Sequence, residues 1–274
     1  MFVTRLASGV VLVVIALGAM GYGGMPLALI LWAISMAAFR ELTKATGCAT
    51  DERKLNGLEW LGMAATTIYY GILYVDGSDI FFLMCIVGFF LLEMFAYVAV
   101  FPRYQAGQVM AAVFSFLYAP VMLSFVYQTR MGNQGIYVVW MILISSWGCD
   151  TCAYVVGKLT GRKKIFPQLS PKKSLEGCIG GVLGAALIGW LYGHFFVETA
   201  FPEQTVGWII ALICGVGAVM SMVGDLAASA IKRNAQIKDY GKLIPGHGGI
   251  MDRFDSMIVT APMTYFLALL LLAA

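Results

Sequence analysis

Nine stretches of this chain are apolar over about the 20 residues that a helix needs to cross the hydrocarbon core of a bilayer, and that repetition limits what the chain can fold into. Their centres lie near Val14, Trp32, Thr67, Phe90, Tyr118, Ile142, Leu187, Leu212 and Thr264, with polar or charged breaks between them. Of 274 residues, 60% are apolar and 12% charged, where a soluble domain carries about a quarter charged residues. Too little polar surface remains for folding in water. The expected fold class is an all-α, polytopic integral membrane protein of about nine transmembrane helices. The first two stretches are short and divided by Gly21-Tyr22-Gly23-Gly24, so residues 6–39 read either as two spans or as one re-entrant hairpin. The first stretch reads as a retained span and not as a cleaved signal, because the charge distribution works with it in place.

A net charge of +3 without a long basic tail argues against a nucleic-acid partner. Cys85, Cys149, Cys152, Cys178 and Cys214 fall in or beside apolar runs, where cysteine behaves as a small hydrophobe and not as half of a disulfide. Alternating the sides of the breaks places all of the 18 Lys and Arg except Arg130 on one side. Basic residues are retained in the cytoplasm during insertion, so the N-terminus is expected to be cytoplasmic and the C-terminus external.

The polarity inside the spans is uneven. Residues 1–135 hold Glu93 as the only carboxylate deep within a span, and read as scaffold with a role in packing or in a homodimer interface. Residues 136–274 hold Asp150, Asp225 and both long basic loops, and read as the catalytic region of what is expected to be one folding unit. No internal repeat divides them.

Two constellations carry chemistry. In the first, Asp225, Ser229 and Lys232 stand at i, i+4 and i+7, on one face of a continuing helix that leads to Arg233. Asp252 and Asp255 share a face at the start of the last span. An Asp within a span costs about 2.5 to 3.5 kcal/mol on insertion scales, so such residues need a cation or a partner. Carboxylates on two successive helices are the hard oxygen ligands that magnesium prefers. The intervening loop carries Lys238, Lys242, His247, Gly246, Gly248 and Gly249, and glycine-rich backbone turns its N–H groups toward anions. The competing reading is that the lysines only obey the positive-inside rule while the aspartates pair with them.

In the second, Asp150, Tyr154 and Lys158 recur at i, i+4 and i+8 and form one polar stripe. A loop follows with Arg162, Lys163, Lys164, Lys172 and Lys173, broken by Pro167 and Pro171. It would concentrate a soluble anion. Ser170, Lys172, Lys173 and Ser174 offer hydroxyl and ammonium donors to phosphates, and Glu176 is placed to orient a lysine or reach a metal. Anionic lipid head groups are the alternative occupant for Lys163 and Lys164.

The run Ser229-x-Ile231-Lys232-Arg233, then Lys238-Asp239-x-Gly241, then Pro245-Gly246-His247-Gly248-Gly249-Ile250-x-Asp252-Arg253-Phe254-Asp255 resembles throughout the signature of the phosphatidate cytidylyltransferases, or CDP-diacylglycerol synthases. Asp150 to Gly177 resembles that family's upstream motif, departing at Cys152, where glycine is common, and at Ser174-Leu175, where threonine and often tryptophan stand. The resemblance covers about the second half of the chain. It implies an enzyme that joins CTP to phosphatidic acid with release of pyrophosphate, needs a divalent metal and serves phospholipid synthesis at a bacterial cytoplasmic membrane, its site facing the cytoplasm. On it, Asp225, Asp252 and Asp255 would hold Mg2+, with room for a second cation. Lys232, Arg233, Lys238 and Arg253 would neutralise phosphate oxygens, and His247 would hydrogen-bond a phosphate or support the loop. Asp239, Gly248 and Gly249 would belong to the substrate-binding set. A secondary transporter for an anion remains the alternative from another class, as does a different CTP-using lipid phosphotransferase.

Overall fold

The computed structural model describes residues 2–51, 54–75, 77–199, 206–244 and 248–272. Arg53 of the charge count and Pro245, Gly246 and His247 of the glycine-rich loop lie outside the described residues. The described residues form helices and no strand: α1 (Phe2–Tyr22), α2 (Gly24–Ala45), α3 (Gly57–Val75), α4 (Asp79–Ala99), α5 (Ala106–Met131), α6 (Gly135–Thr160), α7 (Leu175–Val197), α8 (Gly207–Asn234) and α9 (Met251–Leu271). Each of the nine expected centres falls inside one of them.

Seven of these, α2 and α4 to α9, are long and apolar enough to cross a membrane. The chain is thus an all-helical, polytopic membrane protein. α3 stands outside the seven, its apolar sequence interrupted by Thr66, Thr67, Tyr69 and Tyr70. In α1 the qualifying stretch is the short Val13–Tyr22. α1 and α2 are separate helices, broken at Gly23, whose φ of 75° lies in the left-handed region that favours glycine.

Three helices contain one widened, π-helical turn: Leu117–Val121 in α5, Ile144–Gly148 in α6 and Gly193–Val197 in α7. Such turns shift the phase of the residues that follow. The one in α5 surrounds Pro120, which has no N–H to donate. The one in α6 ends immediately before Cys149 and Asp150.

The chain divides into two compact units, Met1–Tyr127 with Ile231–Phe254, and Gln128–Ala230 with Asp255–Ala274. In the first, polar groups within the bundle find partners between helices. The Ser35 and Tyr70 hydroxyls lie 2.8 Å apart, Tyr70 donates to the Pro120 carbonyl (3.3 Å), and Tyr69 meets Ser124 (3.3 Å). Tyr69, Phe82, Phe89 and Phe116 pack as an aromatic cluster around them. Glu93 is fully buried in α4, and neither of its oxygens has a hydrogen-bond partner. Deeper charge is handled by an ion pair between Arg40 and the fully buried Glu59, which also accepts from the Thr43 hydroxyl.

The second unit packs through small residues. Gly177, Gly181, Ala185 and Gly189 form the buried face of α7, and Ala185 joins Cys149 and Ala218 in one contact cluster. Without a hydrophobic force between helices in lipid, close backbone approach supplies the attraction. α7 and α8 are linked by Glu198, which accepts the Gly207 N–H at 2.8 Å and pairs with His194 at 2.8 Å. These two donors hold the Glu198 carboxyl below the usual range.

α8 and α9 also approach closely, where a Cβ at Gly224 would lie 2.8 Å from the Asp255 carbonyl oxygen and 3.1 Å from Val259. Backbone cannot yield there as a side-chain tip would. Gly224→Ala is expected to cost about 1 to 3 kcal/mol and to lower the midpoint of thermal unfolding in detergent by several degrees; an unchanged midpoint would refute this account of the crossing.

Candidate functional site

Within the second unit, a cavity of about 490 Å3 opens among α6, the loop of residues 161–174, the start of α7 and Met222 of α8. Asp150, Tyr154 and Lys158 all line it, so the stripe read from the sequence is a single face. Lys158 lies over the Tyr154 ring, 5.9 Å from its centroid. Lys173 enters from the loop, and its ammonium pairs with Asp225 of α8 at 2.5 Å. Asp150 is within electrostatic reach of both Lys173 and Asp225. Asp225 thus pairs with the ammonium directly, and Asp150 lies within reach of its charge. Ser170, Lys172 and Ser174 complete the basic and hydroxyl side of the lining.

The loop holding these residues is tied down locally. Lys164 and Ser174 form an isolated antiparallel bridge, and the Lys164 ammonium donates to the Lys172 carbonyl (2.9 Å). Glu176 accepts the backbone N–H of Arg162 (3.0 Å) and of Lys163 (3.3 Å), so its carboxylate closes the loop and does not pair with a lysine. Ser174 is the N-cap of α7, its hydroxyl accepting from the Gly177 N–H at 3.2 Å. It is buried, although it also borders the cavity.

α8 runs unbroken through Asn234, so Asp225, Ser229 and Lys232 do lie on one helix, with Arg233 exposed near its end. In the first unit, Lys232 donates to Asp252 Oδ1 (2.7 Å), while Asp252 Oδ2 accepts the N–H of Tyr240 (2.9 Å) and of Gly249 (3.0 Å). Lys232 also sits 5.4 Å from the centroid of the Tyr240 ring. Asp252 is therefore the knot of the signature loop. Asp239 and Gly248 lie beside it: a Cβ at Gly248 would stand 3.1 Å from Asp252 Oδ2 and 3.5 Å from the Asp239 Cβ. Lys238 and Arg253 are exposed. In the second unit, Asp255 is buried and its Oδ1 accepts the Ser256 N–H at 2.7 Å.

One residue of this loop's support was not anticipated from the sequence. Glu41, buried near the end of α2, accepts the N–H of Ile250 (3.0 Å) and of Met251 (2.8 Å). These are unsatisfied donors at the N-terminus of α9, where negative charge is favoured. Gly241 and Gly249 press against the same carboxylate: a Cβ on either would lie 2.3 Å or 2.5 Å from a Glu41 oxygen. Glu41 stands 209 residues from Ile250 in the chain, and its only sequence signal is a carboxylate at the end of an apolar run.

Among the described residues no three His, Cys, Asp or Glu side chains gather as a metal-binding group. The pair Asp150 and Asp225 is the donor set that suits a divalent ion. Magnesium is commonly held by one or two carboxylates, its other positions taken by water and substrate phosphates.

Fold and site together define a polytopic helical membrane protein that sets lysines and carboxylates around cavities at helix ends. The chain belongs to the cytidylyltransferase family, whose model matches residues 3–271. It is 42% identical over 138 residues to the phosphatidate cytidylyltransferase of Synechocystis sp., covering 50% of this chain and 45% of that one. Similarity to the Haemophilus influenzae protein of the same name is 37% over 135 residues, 48% and 46% of the two chains. With the Bacillus subtilis phosphatidate cytidylyltransferase it is 29% over 266 residues, 96% of each. The chain thus spans about half the length of the first two relatives and nearly the whole of the third.

Replacing Glu41 by Gln would leave one acceptor oxygen and turn an amide N–H2 toward the other of the Ile250 and Met251 donors, weakening the pair. We expect Glu41→Gln to raise hydrogen exchange at these two amides by about tenfold or more, with α3 and α4 unaffected; unchanged exchange would show that the carboxylate does not hold the loop.

Proposed function

We propose that this chain transfers CMP from CTP to phosphatidic acid, giving CDP-diacylglycerol and pyrophosphate. The observation that carries the reading is the cavity lined by Asp150 and by Lys173, the partner of Asp225, with hydroxyls and further lysines around it. Family membership and the names of the relatives support the same chemistry. An oxygen of the lipid phosphate attacks the α-phosphorus of CTP, and the bond from that phosphorus to the pyrophosphate oxygen breaks. A phosphate monoester is already anionic near neutral pH, so no general base is required. Positioning and neutralisation of charge are the main tasks, as in other phosphoryl transfers.

The roles follow from surroundings. Lys172, Lys173, Ser170 and Tyr154 line the cavity and bind substrate oxygens. Ser174 and Glu176 hold the loop that presents the two lysines. Lys232, Arg233, Lys238 and Arg253 neutralise phosphate oxygens, with Asp239, Gly248, Gly249, Ser229 and His247 as the remaining substrate-binding set carried by the resemblance. Mg2+ would be held by Asp225 with Asp150 beside it, and would supply charge for the transferring phosphate and the pyrophosphate leaving group. Asp252 and Asp255 stay in the ligand set read from the sequence.

The distribution of Lys and Arg supports a cytoplasmic N-terminus, an external C-terminus and a site on the cytoplasmic side of a bacterial inner membrane. There the lipid phosphate sits at head-group level while CTP arrives from water.

With purified protein, phosphatidic acid, CTP and Mg2+, pyrophosphate and CDP-diacylglycerol should form in equal amounts; their absence would overturn the reading. Asp225→Asn should abolish turnover while the protein still inserts and unfolds like wild type, and wild-type rates would remove Asp225 from the site. Lys163→Ala should change the rate less than about threefold, because Lys163 supports the loop through its backbone N–H and does not line the cavity.

A further inference from the structure

The first unit contains a second cavity, of about 840 Å3, in which the roles above involve Lys238 and Asp239 but leave Lys44 and Lys242 unassigned. One wall is the end of α2 and the turn after it, with Lys44, Thr50 and Asp51. The other is the segment after α8, with Lys238, Asp239 and Lys242. Most of the remaining lining is small, including Ala45, Gly47, Ala49, Ala235 and Gly241. The volume falls in the range of small-molecule and cofactor sites, about 300 to 1,000 Å3.

Both walls are held by buried carboxylates. Glu59 is fully buried and pairs with Arg40, and the Arg40 guanidinium donates to the carbonyls of Asp51 (3.0 Å) and Lys54 (3.1 Å). Glu41 is pressed against Gly241 and binds the N–H groups of Ile250 and Met251. Burying charge is costly unless it is paired, and here the pairing goes to fixing two loops. Among the described residues no ion pair within 4 Å holds Lys44 at the end of α2, or Lys238 and Lys242 on the segment after α8, although Glu41 lies within electrostatic reach of Lys44. The result is a preorganised pocket with more cationic than anionic groups.

We propose that this cavity binds the polyphosphate of the nucleoside triphosphate substrate, with Lys44 and Lys242 as phosphate-binding residues alongside Lys238. The inference rests on the proposed cytidylyl transfer for the identity of the nucleotide. A lipid phosphate offers the same anionic chemistry, but this lining comes from a helix end and two loops, and Ile237 and Tyr240 are the large apolar side chains on it. The cavity beside Asp150 is different, being bordered by Tyr154, Pro171, Cys178 and Met222.

The test measures equilibrium binding of CTP and of inorganic triphosphate to the purified full chain in detergent, together with KM for CTP and for phosphatidic acid in mixed micelles. Lys44→Gln and Lys242→Gln are each expected to weaken CTP and triphosphate binding about tenfold or more, the loss of one charge-assisted hydrogen bond. KM for CTP should rise in step while KM for phosphatidic acid stays within about twofold. Lys44→Arg and Lys242→Arg should restore most of the affinity, which a folding defect would not allow. Unchanged CTP affinity in both Gln variants overturns the proposal, as does a rise confined to the KM for phosphatidic acid, which would assign the cavity to the lipid head group. Wild-type protein that binds neither CTP nor triphosphate also overturns it. Protein that binds CTP through these lysines yet forms no CDP-diacylglycerol would instead sink the proposed reaction and leave the site standing.

Discussion

A carboxylate within the helices of a chain with this little polar surface is costly unless something offsets its charge, and apart from Glu93, which has no hydrogen-bond partner among the described residues, the buried carboxylates are arranged around meeting that condition. Asp225 has Lys173, Asp252 has Lys232, and Glu59 has Arg40. Glu41 has no lysine within ion-pair distance and instead takes two N–H groups from the start of α9. Three of the four tie an element to a distant one, α2 to α9, α8 to the signature loop and α8 to the loop before α7, and the fourth joins α2 to its neighbour α3. The cost of an unpaired charge in low dielectric, a few kcal/mol, is what turns these contacts from decoration into constraints on where loops lie.

The carboxylates also divide the labour with the lysines. Glu41, Glu176 and Asp252 direct oxygens to backbone N–H groups of loops, and in doing so shape segments that carry basic side chains. Had Glu176 paired with Lys172 or Lys173, as its position in the sequence allows, the loop would have lost part of the positive field it presents to an anion. Because it holds the Arg162 and Lys163 backbone, the field is kept and the geometry is gained. The Lys173 ammonium is the exception, paired with Asp225. A cation or phosphate entering that cavity would exchange partners within an existing charge network and need not create one.

How much of this was legible in the sequence follows from range. Helix positions were legible because a span is a property of some 20 contiguous residues, and every expected centre lies in a helix. α3 shows the limit, since Thr66, Thr67, Tyr69 and Tyr70 lower its hydropathy while serving as hydrogen-bonding and packing groups inside the bundle. The stripe of Asp150, Tyr154 and Lys158 was legible because it obeys one helical period, and the π-turn in α6 precedes it and so leaves its internal spacing intact. Glu41 was not, because its partners are more than 200 residues away. Nor was the double use of Ser174, which borders the cavity and caps α7 at the same time. Capping was signalled by its place before a helix, but a serine in a phosphate-rich context reads first as a ligand.

The first half of the chain has weaker motifs than the second, and by sequence it reads as scaffold. The structure gives it a more specific task. Arg40, Glu41 and Lys44 occupy two turns at the end of α2. Arg40 holds the turn after that helix, Glu41 holds the start of α9, and Lys44 faces the space between the two held segments. A single helix end thus fixes both walls of a cavity and contributes a charge to it. Such an arrangement requires no long motif, only one arginine, one glutamate and one lysine at spacings that a helix makes neighbours. Short local spacing of this kind is what sequence resemblance detects least well, and on the proposed reading of the cavity it makes the end of α2 part of the phosphate-binding site that the signature loop begins.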